Sequence, residues 1–254
     1  MKNLGQSDFF FGTSGLILPV KNKQFYPAEF QEKPRLTYYA SLFNSIEINS
    51  TFYKIPMEST IRNWSDQVSE NFRFTFKLWK GITHNKGLTY DPNDINKFIR
   101  TINNIGGKKG CLLVQFPPGL KVNLAQRFEA LLANIREADP ENLWKIAIEF
   151  RHSSWYHEEI FDLLEEQQVG IVVHDKPGSA TPYLESPVNF KYLRFHGPNG
   201  DYRGHYTDDF LDEYAQYIQA WTDQEKEVYV YFNNTMGDAV KNLNTLNSLL
   251  VTNE

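Results

Sequence analysis

The chain holds a single cysteine, Cys111, in 254 residues. That scarcity excludes an internal disulfide framework and any multi-cysteine zinc site within one chain, and it fits a reducing compartment. Cys111 lies in the apolar run GCLLVQF, where a free thiol reads as a small buried hydrophobe rather than a nucleophile. An excess of positive charge is also lacking, because 26 Lys and Arg stand against 31 Asp and Glu for a formal net charge of −5. Duplex binding needs clustered Lys and Arg, so nucleic acid is not the expected partner. No stretch of about 18 apolar residues occurs, and the opening MKNLGQSDFFFGTSG has no long apolar signal core. The expected location is therefore the cytoplasm, with no membrane partner. Finally, no GxGxxG follows the first strand-like run, which removes the usual dinucleotide fingerprint.

What is present is an ordinary globular balance, 41% apolar and 22% charged, enough for a sizeable core. Aromatics at 15% read chiefly as core packing, with stacking surfaces for sugar or base rings as the alternative. Short β-branched and aromatic runs predict strands at Asp8–Thr13, Ser45–Asn49, Phe72–Leu78, Cys111–Phe116, Lys145–Phe150, Gly170–His174, Phe190–His196 and Val228–Phe232. Apolar residues at helical spacing predict helices at Leu36–Phe43, Ser59–Val68, Pro92–Ile105, Leu124–Ile135, Glu158–Gln167, Asp208–Thr222 and Asp238–Leu250. The sixth connection, KPGSATPYLESPVN, has no helical pattern and reads as an irregular loop. No linker or composition shift marks a boundary, so residues 1–254 are expected to form one α/β domain. Eight strand–helix units favour a closed (β/α)₈ TIM-type barrel over an open doubly wound sheet.

Alternation along the strands then sorts the side chains. Ile46 and Ile48 oppose Glu47 and Asn49; Phe72, Phe74 and Phe76 oppose Arg73, Thr75, Lys77 and Trp79. Ile146, Ile148 and Phe150 oppose Ala147, Glu149 and Arg151, while Leu193 and Phe195 oppose Tyr192, Arg194 and His196. Val228, Val230 and Phe232 oppose Tyr229, Tyr231 and Asn233. The apolar faces belong under the helices. Glu47, Lys77, Gln115, Glu149, Arg151, His174, Arg194, His196 and Asn233 are thus expected to converge inside, near the C-terminal strand ends where barrel active sites lie. Unpaired buried charges cost several kcal/mol, so such a cluster is either a closed salt-bridge network or a ligand site. Five of the six histidines, His84, His152, His174, His196 and His205, fall at or just past a predicted strand end. No HExxH or comparable ligand pair occurs, and no metal is assigned.

A set of motifs in this order resembles the YecE-like barrel family, domain of unknown function 72, over almost the whole chain. They are GTSG (Gly12–Gly15), FYP (Phe25–Pro27), EINSTFY (Glu47–Tyr53), ITH ending at His84, QFPP (Gln115–Pro118), IEFRHSSW (Ile148–Trp155), RFHG (Arg194–Gly197) and YFNN (Tyr231–Asn234). The resemblance implies a TIM-type barrel and supplies no settled reaction or cofactor. Leu16 stands where the family usually has an aromatic, and Thr235 where it usually has an acid.

The residues themselves suggest an enzyme acting by general acid/base chemistry, hydrolysis or isomerisation, on a small phosphorylated or carboxylated substrate. Lys77, Arg151 and Arg194 would hold the anion. Glu149 or Glu47 would be the acid or base, with His196 or His174 as the second proton carrier. Asn49, Gln115 and Asn233 would orient neutral groups, with Tyr53, Trp79 and His152 at the rim. Three alternatives stand beside this reading. One is a metal-dependent phosphoester hydrolase using Glu47, Glu149, His174, Asp175 and His196, conceivably on nucleic acid. Another is a glycosidase using Glu47 and Glu149 as paired acids. The last is a non-catalytic anion-binding module.

Overall fold

A computed structural model of the chain describes residues 8–182 and 188–252. Eight parallel strands form one sheet in the order β1-β8-β7-β6-β5-β4-β3-β2. They are β1 (Phe9–Thr13), β2 (Ser45–Ile48), β3 (Arg73–Lys77), β4 (Lys109–Gln115), β5 (Lys145–Glu149), β6 (Gly170–His174), β7 (Phe190–Phe195) and β8 (Glu227–Phe232). The helices α1 (Arg35–Leu42), α3 (Glu58–Asp66), α5 (Pro92–Ile102), α6 (Ala125–Ala138), α7 (Glu158–Glu166), α8 (Asp208–Asp223) and α9 (Ala239–Thr252) lie between and after the strands. Two single-turn helices, α2 (Ser50–Tyr53) and α4 (Lys80–Thr83), sit in the loops after β2 and β3. Four residues are too short for a 3.6-residue period to show, so neither was expected. After β6 the described residues form turns and no helix, as the prolines and serines imply; residues 183–187 of that loop lie outside the described residues. The arrangement is the expected (β/α)₈ barrel.

Local chemistry sets several helix starts. Asp91 accepts a bond from Asn93 N at 2.9 Å with Pro92 in the first turn, and Thr207 accepts from Phe210 N at 3.3 Å. Outward strand residues Phe72, Phe74, Phe76, Ile146, Ile148, Val228 and Val230 then pack with Phe98, Ile99, Leu131 and Ile135 of the helices in one buried cluster. Each such side chain contributes roughly 1.5–3 kcal/mol through burial. A second, interior cluster comprises Phe10, Cys111, Leu113, Ala147, Val172, Phe190, Tyr192, Tyr229 and Tyr231. Tyr231 Oη bonds to Ser45 Oγ at 2.6 Å and Thr75 Oγ1 at 2.8 Å, so a layer of hydroxyls separates an apolar floor from the charged residues above it.

One seam of the barrel is closed differently from the rest. Between β1 and β2 the backbone pairing is a lone Ser14–Glu47 bridge, with Gly15 N donating to Glu47 O at 2.8 Å. The remaining groups are met by side chains. Phe11 N donates to Asn44 Oδ1 at 2.8 Å, Asn44 Nδ2 donates to Phe9 O at 2.8 Å, and Thr13 N donates to Tyr39 Oη at 2.7 Å. Gly12 makes the close approach possible, because a Cβ there would lie 2.0 Å from Ser45 O. Asn44→Ala leaves one donor and one acceptor of β1 without these partners and should cost about 1–3 kcal/mol in urea unfolding. A change within about 0.5 kcal/mol, the range of an ordinary surface substitution, would contradict this role for Asn44.

Candidate functional site

The strand ends bring most of the expected residues into one cluster. Glu47, Glu149 and His196 are fully buried at 0% exposure, and Arg194 is at 2%. Arg194 is the hub. Its Nε donates to Glu47 Oε2 at 3.0 Å and its Nη2 to Glu47 Oε1 at 2.8 Å, while Nη1 reaches Glu149 Oε2 at 3.1 Å. Tyr192 Oη adds a bond of 2.5 Å to Glu47 Oε2. Arg151 Nη2 forms a close ion pair with Glu149 Oε1.

These contacts decide the protonation states. Burial raises both carboxyls, but it is outweighed by Arg194 at Glu47 and by Arg151 and Arg194 at Glu149, so the first lies below the usual carboxylate value and the second well below it. Both glutamates are therefore ionised counter-ions, poorly suited to serve as the acid or base anticipated from the sequence. His196 is equally engaged. Guanidinium groups only donate, so its Nε2 accepts from Arg151 Nη2 at 2.8 Å and Arg194 Nη1 at 3.0 Å, leaving Nδ1–H to donate to Asp175 Oδ1 at 3.2 Å. Burial foremost pulls it down to about 4 and keeps the ring neutral. Asp175 is held in turn by Tyr206 Oη and by His196 N at 2.8 Å.

His174 is fastened at both nitrogens. Nε2–H donates to Phe150 O at 2.9 Å, and Nδ1 accepts from Lys176 N at 3.3 Å, so its role is to pin the strand ends that carry Arg151 and Asp175. The sequence reading placed it as a proton carrier; the hydrogen bonds leave it no free nitrogen. Gln115 Nε2 donates to the carbonyl of Phe116. His152 caps its own turn, with Nδ1 accepting from Ser154 N at 3.1 Å. Tyr53 is 67% exposed with its ring edge-on to Phe52, and Trp79 packs against the outer core. Among the described residues Tyr53, Trp79 and His152 make no hydrogen bond or ion pair with the central charges.

A second set of polar atoms at the same end makes no hydrogen bond among the described residues. Arg151 Nε and Asn49 Oδ1 are buried and unbonded, and the Asn233 side chain makes no hydrogen bond among the described residues. Lys77, 9% exposed, makes no hydrogen bond or ion pair there; its Nζ rests 4.1 Å from the centre of the Phe52 ring. Burial first, and then Arg194, push its pKa down to about 8. His84 meets the edge of the same ring at 4.8 Å and is pulled down to about 4 by burial and by Lys77. The sequence reading left Phe52, Tyr192 and Tyr206 without a role, since a single aromatic residue has no signature separating a hydrogen-bond donor or a cation platform from core. Among the described residues no three His, Cys, Asp or Glu side chains gather as metal ligands. Nor is any described helix long and apolar enough to cross a membrane.

A TIM-type barrel with an ion-paired centre beneath unsatisfied cationic donors is the class that fold and site define. The chain belongs to the family described as protein of unknown function DUF72, whose model matches residues 10–254. It is 26% identical over 248 residues to UPF0759 protein YunF of Bacillus subtilis (strain 168), covering 85% of this chain and 86% of that protein. A shorter segment of 79 residues is 29% identical to UPF0759 protein YecE of Escherichia coli (strain K12), or 31% of this chain and 29% of that one. A DUF72 family protein from Enterococcus faecalis V583 superposes with a TM-score of 0.79 at 23% identity, covering 96% of this chain and 95% of that chain. Another from Thermotoga maritima MSB8 gives 0.76 at 26% identity, covering 97% and 100%. The family read from the motifs is thus the family found.

Proposed function

We propose that the mouth of the barrel binds a small carboxylated or phosphorylated metabolite, with Arg151 as its principal ligand and Lys77 beside it. The observation that carries this reading is the unsatisfied donor: Arg151 Nε is buried without a hydrogen-bond partner among the described residues although its Nη2 is paired. Buried polar groups are almost always bonded, and each exception calls for an explanation. A guanidinium edge suits a carboxylate or phosphate. The two guanidiniums pair with the two glutamates, so it is the ammonium of Lys77, without an ion pair among the described residues, that an anionic ligand would meet. Burial of these donors favours a small molecule over a polymer.

The competing chemistries fare worse on the same geometry. Metal-assisted hydrolysis needs carboxylates free to face a cation, whereas Glu47 and Glu149 are engaged by guanidinium groups and Asp175 by His196 and Tyr206. Glycoside cleavage needs one carboxyl held protonated, but both glutamates are held ionised. Titration calorimetry of the full chain with phosphate, sulfate and pyruvate should show one saturable site. Arg151→Met should weaken it by more than about tenfold while Glu149 keeps its bond to Arg194. Unaltered affinity in a folded variant would overturn the assignment.

A further inference from the structure

Two buried lysines of this chain live in opposite surroundings. Lys108, 5% exposed, donates to the carbonyls of Ser65 at 2.7 Å and Val68 at 3.0 Å and pairs with Glu70 at 3.1 Å. It is an ammonium with acceptors on several sides, clasping the end of α3. Lys77 has none. The carboxylates closest to it in the fold's logic, Glu47 and Glu149, are occupied by Arg194 and Arg151. What surrounds its Nζ is an aromatic face, the ring of His84, itself on Phe52, and the opposed fields of Arg194 and Arg151 and of Glu149 and Glu47, with burial the largest influence. Such a setting penalises the charged form and stabilises the free amine, whose lone pair is then available. An amine desolvated beside other cations is a recurrent route to a nucleophilic lysine.

We infer that Lys77 is a carbonyl-directed nucleophile, which condenses with the keto or aldehyde carbon of a small 2-oxo acid whose carboxylate is held by Arg151. The inference rests on the anion site proposed above and adds a covalent step to it. The Nζ lone pair forms a bond to the carbonyl carbon as the C=O π pair moves to oxygen, and one amine proton passes to that oxygen. The second amine proton then leaves with the same oxygen as water, giving a C=N bond. One water is released, and no oxidant or reductant is consumed. A 2-oxo acid fits because it sets its electrophilic carbon directly beside its carboxylate, and Arg151 and Lys77 stand within each other's field.

Incubating the full-length protein with pyruvate or glyoxylate and sodium cyanoborohydride, then mapping peptides by mass spectrometry, tests this. The reductant delivers hydride to the imine carbon and leaves a stable secondary amine, so the adduct marks the residue. Lys77 should carry it, at a rate more than about tenfold above the exposed Lys21, Lys23 and Lys54. Arg151→Met should slow the reaction with pyruvate but not with acetaldehyde, which has no carboxylate. Lys77→Arg should keep the rise in unfolding midpoint that pyruvate confers and lose the adduct. If pyruvate raises the midpoint through Arg151 yet labels only surface lysines, the covalent step is wrong and the anion site stands. If neither pyruvate nor glyoxylate labels Lys77 or shifts the midpoint, the covalent step falls, and if phosphate and sulfate also leave the midpoint unchanged the anion site falls with it.

Discussion

Arg194→Met should lower the unfolding free energy by about 3–5 kcal/mol, the cost of leaving a buried charge without its partner. The reason lies in the fork: one guanidinium serves Glu47 through Nε and Nη2 and Glu149 through Nη1. Without it Glu149 retains Arg151, but Glu47, at 0% exposure, is left among the described residues with no ion pair and with neutral hydroxyls such as that of Tyr192. Glu47 is then expected to take up a proton in the folded state. In the natural chain its folded pKa lies below the ordinary 4.5, so its contribution is full above that value and declines as pH falls beneath it. In the variant the folded pKa lies above 4.5, so stability should instead decline as pH rises through and beyond that value. Urea unfolding between about pH 4 and pH 8 would show this reversal of slope. A loss no greater than that of Arg151→Met, with no reversal, would refute the hub role.

The opposite sign is expected at Lys77. Its folded pKa of about 8 against an ordinary 10.5 means that the unfolded chain holds the proton more tightly. The cost to the fold is complete below pH 8 and is relieved as pH rises toward 10.5. That shift corresponds to roughly 3 kcal/mol. Lys77→Met, which keeps much of the side chain's volume and removes the charge, should therefore stabilise the protein at neutral pH. The expected gain is about 2–3 kcal/mol, or a rise in Tm of roughly 2–4 °C for each kcal/mol. The advantage should vanish near pH 10.5. A residue that weakens the fold at neutral pH is understandable where it serves a ligand. A destabilised Met variant would instead make Lys77 a structural residue.

The strand faces were readable because alternation is local. Ile146, Ile148 and Phe150 declare the outer side of β5 within a few residues, and Glu149 and Arg151 follow inward by parity alone. The same rule sends Arg194 and His196 inward, where they meet Glu47 and Glu149. Pairing was not readable, since Glu47 and Arg194 stand 147 positions apart. Alternation gives an inward direction without saying which cation meets which anion. It makes Lys77, Arg151 and Arg194 equivalent anion holders, whereas Arg194 bonds two carboxylates, Arg151 bonds Glu149 and His196, and Lys77 has no hydrogen bond or ion pair among the described residues. The partners of His174 and His196 are hidden from the sequence for a related reason: a histidine's availability depends on what each ring nitrogen meets, and those partners come from other segments.

The seam between β1 and β2 carries a consequence for which substitutions the chain can tolerate. At the other junctions the strands are joined through peptide groups, which every residue except proline supplies in full. Here the ring is buttoned by the amide of Asn44 and the phenol of Tyr39, and threaded past a position with no room for a methyl group at Gly12. Closure of the cylinder has thereby become a matter of side-chain identity at three places, as exacting in its demands as a binding site though no ligand need touch it.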